Sequence, residues 1–330
     1  MDKLFLEIKC SLNDNYQTVS LKHQCYTNES HKINPIATEA AAETAEIAEP
    51  DTAKLLPDLP STSPTNIDLD TFYSTFVYKT IENCAMESRA PQRSKEWHDA
   101  RRFSITASNF AAAVGNNKYC SPKDLLLDKL WASFKGSEAT KYGSFHEMDA
   151  QNSLKKVLDS KLLNDLYYED SICTSFSIQE CGLLKHHKQP WMAVSPDGIL
   201  ILEGNKGPRY ILIEYKCPFF LRDSDDHPYK KCTFNIPEYY MDQIQGILGL
   251  LNKFPELIPP LQKKSFEMCL FVVWQPKQIH ITRVPYNKHY YENFLEPALK
   301  DWYFEQYLPF AVLKYNGQLQ KNSLDIIINI

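Results

Sequence analysis

Apolar residues recur at helical spacing in the first half of the chain and at strand spacing in its middle. DLDTFYSTFVYKTIENC sets Phe72, Phe76, Ile81 and Cys84 along one helix face. SKEWHDARRF predicts a second helix, with Ser94 as its N-cap. ITASNFAAAVG predicts a third, ending at Gly115. Ser121-Pro122 opens a fourth, SPKDLLLDKLWASF, as a cap followed by proline at the first helical position. HEMDAQNSLKKVL predicts a fifth.

The period then falls to two. CTSFSIQECGLLKHH alternates, a turn is expected at Lys188-Gln189-Pro190, and WMAVSPDGILIL begins another strand pair. EGNKGP reads as a turn and RYILIEYKC as the strand that follows it. IPEYYMDQIQGILGLL is helical from near Pro237, EMCLFVVWQPKQIHITRVPY is a hairpin, and NKHYYENFLEPALKDWYFEQYL closes in helix. Helices, strands, a helix, a hairpin and a helix predict an α/β domain with a mixed sheet flanked by helices.

Composition divides the chain into three. Residues 1–30 have room for a strand or two but no firm period. Residues 31–68 are rich in Ala, Glu, Pro, Ser and Thr, lack aromatics from His31 to Ile67, and predict a disordered acidic linker. The ordered domain is expected over 69–330. Residues 1–70 hold 5 Lys against 12 Asp and Glu, or −7, which leaves 31 basic and 29 acidic residues, or +2, in the remainder. Within that remainder Ser88–Lys135 carries 9 basic and 4 acidic residues, a local +5 suited either to phosphates or to a solvated face. Nine cysteines without a CxxC pair predict reduced thiols in an intracellular protein. The apolar runs are too short to span a bilayer, and the charge-broken N-terminus does not read as a signal peptide.

The charges inside RYILIEYKC need an explanation. Residues two apart on a strand share a face, so Glu214 and Lys216 point one way while Ile213, Tyr215 and Cys217 point into packing. The EGNKGP turn folds this strand back, which lets Asp197 lie beside Glu214. Two carboxylates and an ammonium at the edge of a core form either a buried ion pair or a divalent-cation site.

Pro196-Asp197 followed by Glu214-Tyr215-Lys216 resembles the PD-(D/E)xK nuclease core. More narrowly, the chain resembles the lambda-exonuclease/YqaJ viral recombinase family over about residues 88–285. QRSKEWHDARRFSITASNF (92–110), KYGSFHE (141–147), SPDG with EYKCPF, and YYMDQIQGILGL (239–250) carry that resemblance in the family's order. It implies a restriction-endonuclease-like core and a metal site of Asp197, Glu214 and the Tyr215 carbonyl. Glu147 would act there as a direct ligand or through water. Lys216 and Gln243 would position the nucleophile. Hard oxygen ligands favour Mg²⁺ or Mn²⁺, and His146 is expected to pack or cap rather than bind zinc.

The resemblance also assigns Arg101, Ser108 and Ser195 to a terminal 5′-phosphate; the competing reading of Arg101 is an ion pair with Glu96 or Asp99. Arg102 is the neighbour that would exchange roles with Arg101 if the alignment slipped by one. Phe103 and Ser104 depart from the small residue often found at that point. Trp97, Trp131 and Trp191 are expected in packing rather than in base stacking. The implied activity is 5′ to 3′ exonucleolytic cleavage of double-stranded DNA ends in recombination or repair, with a single-strand annealing protein and a homo-oligomer as possible partners and no membrane. An endonuclease on the same core and an inactive DNA-binding protein are the alternatives. A role on DNA places the protein in the nucleus ahead of a cytoplasmic viral factory.

Overall fold

The computed structural model describes residues 4–11, 19–25, 66–78, 87–88, 94–131, 137–158, 160–221, 229, 231–232, 236–258 and 265–321. Residues 31–65 of the linker expected over 31–68, and the first helix beyond residue 78, lie outside them. Among the described residues the strands are β1 Leu4–Ser11, β2 Val19–Cys25, β3 Glu87–Ser88, β4 Ile105–Thr106, β5 Cys173–Gln179, β6 Leu183–His186, β7 Gln189–Val194, β8 Gly198–Gly204, β9 Arg209–Lys216, β10 Met268–Gln275 and β11 Gln278–Pro285.

Alternation in β9 and β10 divides the core. Tyr210, Leu212, Cys269, Phe271 and Val273 face one apolar cluster; Ile211, Ile213, Tyr215, Leu270, Val272 and Trp274 face another. The first cluster is covered by helix Glu238–Lys253 and by a long helical stretch over 288–315, the second by helices Glu138–Val157 and Ser160–Leu166. Both faces of these strands are therefore buried, so they read as nearly continuous apolar runs.

Seven strands run in the order β2-β1-β11-β10-β9-β8-β5, and four form a smaller sheet, β3-β6-β7-β4. In the larger sheet only β9 and β10 pair in parallel. This is the expected mixed sheet flanked by helices. Residues 1–30 do supply two strands, and β1 extends the sheet by pairing with β11 from Glu7 opposite Thr282 to Ser11 opposite Gln278. Among the described residues no helix is long and apolar enough to cross a membrane.

Two local expectations are corrected. Ile105 and Thr106, expected to open a helix, form β4 and pair in parallel with Met192 and Ala193; helix Phe110–Ala113 begins only after a 3-10 turn. Pairing with the buried strand β7 outweighs a local helical period in which Ile105 and Thr106 are poor helix formers. The turn before Trp191 is also shorter than expected, since Gln189 and Pro190 already belong to β7.

Helix Glu238–Lys253 sits close to its neighbours because two glycines leave room. A Cβ on Gly246 would come within 2.3 Å of the Phe110 ring, and one on Gly249 within 2.2 Å of the Tyr291 ring. Both rings belong to buried residues in a packed core. Gly249→Ala should therefore destabilise the fold by about 1–3 kcal/mol through overpacking, although alanine is the better helix former. Urea unfolding measures this, and an unchanged midpoint would contradict the close approach.

On the same helix Asp242 is buried at 2% exposure and accepts from the Tyr290 hydroxyl at 2.6 Å and the Asn116 amide at 2.9 Å. Burial raises its pKa, and the two hydrogen bonds oppose the shift. The native state thus keeps this proton to higher pH than the unfolded chain. The stabilisation is full in acid and is lost as pH rises through the folded pKa. Asp242→Asn should then be more stable than wild type by about 1 kcal/mol at pH 8, the gain shrinking towards pH 4. Melting curves across that range check the sign.

Candidate metal and nucleic-acid site

Gly207 takes φ +81° in the turn between β8 and β9, a conformation open to glycine. The register that follows sets Gly198 opposite Ile213, and Asp197 one residue earlier beside Glu214. Asp197 Oδ2 accepts from the Tyr215 N–H at 2.8 Å, which ties the loop to the strand.

Glu214 is the centre of the group, only 1% exposed. Its Oε1 accepts from Lys216 Nζ and from Gln243 Nε2, the latter at 2.5 Å. Its Oε2 is buried and has no hydrogen-bond partner among the described residues. Burial pushes the Glu214 carboxyl well above the usual range; Asp197 and Glu147 push the same way, and Lys216 pulls against them. Burial alone would lower the Lys216 pKa, but Glu214, Tyr240 and Asp197 outweigh it and keep the lysine charged. The Cys217 thiol is raised by burial, then by Glu147 and Asp197. The fields of three carboxylates thus converge on one end of β9.

A buried carboxylate oxygen without a donor is costly unless a cation or water meets it. The donor set is hard oxygen throughout, as Mg²⁺ or Mn²⁺ requires. Among the described residues no three His, Cys, Asp or Glu side chains close a ready-made cage. A cation here would be shared between the carboxylates, a main-chain carbonyl and water, the usual situation for Mg²⁺.

His146 does not turn to this site. Its ring stacks on Trp274 at 4.8 Å between centroids, and Nδ1 lies 2.7 Å from Asp149 Oδ2. Tyr240 joins the group although it was not among the residues expected there: its ring centroid lies 4.7 Å from Lys216 Nζ. The available signal was its position one helical turn before Gln243, which puts both on one face.

Arg101, Ser108 and Ser195 lie around β4 and β7. The parallel pair Thr106–Ala193 carries Ser108 and Ser195, each two residues further on, towards the same end of the two strands. Ser108 is exposed, with Oγ 3.4 Å from Thr106 Oγ1; Ser195 Oγ donates to Gly182 O at 3.3 Å. The Arg101 guanidinium lies 3.7 Å from the Trp97 ring centroid. Burial lowers its pKa to about 10. Lys129 is drawn down to about 7 by burial, then by Arg101 and Lys185, so three cationic side chains crowd together here. Trp97 and Trp191 are buried and Trp131 packs against the core, as expected.

Glu214 is buried and Lys216 largely so, and their ion pair couples the two strongly. Lys216→Met should cost about 3–5 kcal/mol by leaving a buried carboxylate without its counter-charge, while Glu214→Gln combined with Lys216→Met should recover much of that. Additive losses in a urea-unfolding double-mutant cycle would contradict the pairing.

Residues 96–250 match the family model of the YqaJ-like viral recombinase domain. "Uncharacterized protein R354" of Acanthamoeba polyphaga mimivirus is 28% identical over 47% of this chain and 26% of its own length. "Protein D345L" of African swine fever virus (strain Badajoz 1971 Vero-adapted) is 26% identical over 55% of this chain and 50% of its own. The chain thus spans half or less of the curated relatives it matches first. The crystal structure of the Shutoff and Exonuclease Protein from Kaposi's sarcoma-associated herpesvirus aligns over 78% of this chain and 83% of that one, at 10% identity and a TM-score of 0.42. A crystal structure of a SOX–DNA complex aligns over 71% of each chain at 11% identity and a TM-score of 0.37. Glu147, Asp197, Glu214, Lys216 and Gln243 all fall inside the span, residues 96–250, that matches the YqaJ-like viral recombinase domain.

Proposed function

We propose that the protein is a Mg²⁺-dependent deoxyribonuclease, with Mn²⁺ able to replace Mg²⁺, acting 5′ to 3′ on the ends of double-stranded DNA. One observation carries this reading: a buried Glu214 whose Oε1 is held by Lys216 and Gln243 and whose Oε2 is left without a donor, in the fields of Asp197 and Glu147. The family description adds a recombination context.

Asp197, Glu214 and the Tyr215 carbonyl would hold the ion, with Glu147 approaching from its helix. A divalent ion in such a site offsets repulsion among the carboxylates and lowers the pKa of a bound water. Gln243 fixes Glu214 through Oε1, which would leave Oε2 to help hold the ion. The Lys216 ammonium has donors only, and it orients the attacking water or offsets charge on the phosphate. Arg101 offers a forked donor to a terminal phosphate, joined by the hydroxyls of Ser108 and Ser195.

The test is cleavage of linear duplex with and without a 5′-phosphate, and of closed circular duplex, in Mg²⁺ and in EDTA. Loss of the linear phosphorylated duplex, in Mg²⁺ only, is expected. Lys216→Ala should reduce that rate by about 100-fold or more while DNA binding persists. Cutting of the closed circle would favour an endonuclease on the same core. Binding by folded protein without cleavage would favour an inactive DNA-binding domain.

A further inference from the structure

Five consecutive carbonyls, from Ala100 to Ser104, each accept a hydrogen bond from a different residue. Lys185 Nζ donates to Ala100 O at 3.3 Å. The Ser104 N–H donates to Arg101 O at 3.1 Å. The Tyr307 hydroxyl donates to Arg102 O at 3.3 Å, and the Tyr303 hydroxyl to Phe103 O at 2.5 Å. Lys129 Nζ donates to Ser104 O at 2.9 Å. A further bond leaves the segment, from Ser104 Oγ to Pro190 O at 3.1 Å.

The last carbonyls of a helix lack intrahelical partners, and water usually serves them. Here side chains serve Ala100 and the C-cap Arg102, and two more serve Phe103 and Ser104 just beyond the helix; Tyr303, Tyr307 and Lys185 are among the buried residues of the fold. The four side chains come from three separate places: β6, helix Pro122–Trp131 and the 288–315 helical stretch. A capping role alone would not need so many buried donors from distant parts of the chain. Fixing the path of the backbone would, and that backbone carries Arg101 at one end and leads through β4 to Ser108 at the other. A forked donor to phosphate works only when its position is held to a fraction of an ångström.

We propose that Tyr303 and Tyr307, together with Lys129 and Lys185, are positioning residues that clamp the 100–104 backbone and so aim Arg101 at the terminal 5′-phosphate of a DNA strand. The inference rests on the reading of Arg101 given above. It draws the helical stretch that follows residue 285, outside the matched 96–250 span, into the DNA-end site.

The experiment compares wild type, Tyr303→Phe/Tyr307→Phe, and Tyr315→Phe as a control on the same stretch. Binding of 5′-phosphorylated and 5′-hydroxyl duplex is measured in EDTA, and amide hydrogen exchange is followed without DNA. The double variant should lose about three- to tenfold of the preference for the phosphorylated end, as expected for two hydrogen bonds. Its affinity for the hydroxyl end should stay within about twofold, and the control should match wild type. Amides 102–106 should exchange faster in the double variant, while those of β9 and β10 stay protected. A wild-type preference that survives in the double variant overturns the proposal. If wild type shows no preference, the Arg101 reading fails, and hydrogen exchange alone decides the clamp: unchanged exchange overturns it, and faster exchange upholds it as a brace on the segment.

Discussion

The carboxylate of Glu214 has nowhere to put its charge except on neighbours brought from other parts of the chain. Lys216 comes from its own strand, Gln243 from a helix that must pack within ring-to-glycine distance of Phe110 and Tyr291, and Asp197 from a loop placed by the β8–β9 register. A buried carboxylate is tolerated only when such partners arrive together. The mixed sheet, with helices on both faces, is the frame that delivers them.

That frame also explains how a site so hydrophobic around its base can serve charged chemistry. β9 alternates between two apolar clusters until its last residues, where Glu214 and Lys216 stand near the strand's end. Burial, Asp197 and Glu147 raise the proton affinity of Glu214, and the lysine opposes them. The remaining imbalance of negative charge is what a divalent cation would neutralise.

Much of this was legible in the sequence. The two-residue period of RYILIEYKC fixed which side chains share a face, and the following helix carried Gln243 at the spacing its packing requires. Residues whose partners are distant were not legible. Nothing local marks β1 for β11, or β4 for β7. Tyr303 and Tyr307 lie about 200 residues from the carbonyls they serve. Ile105 and Thr106 sit in a stretch with a helical period, and a strand edge available only in the folded protein decides otherwise. The Tyr240 ring beside Lys216 was open to inference from helical spacing alone.

The most direct measurement is isothermal titration of Mg²⁺ into the DNA-free protein and into its Asp197→Asn variant, both confirmed as folded. The account predicts saturable binding to the wild type that weakens at least about tenfold in the variant, since one carboxylate charge of the site is removed. Equal binding to both, or none to the wild type, would contradict a cation site at Asp197 and Glu214.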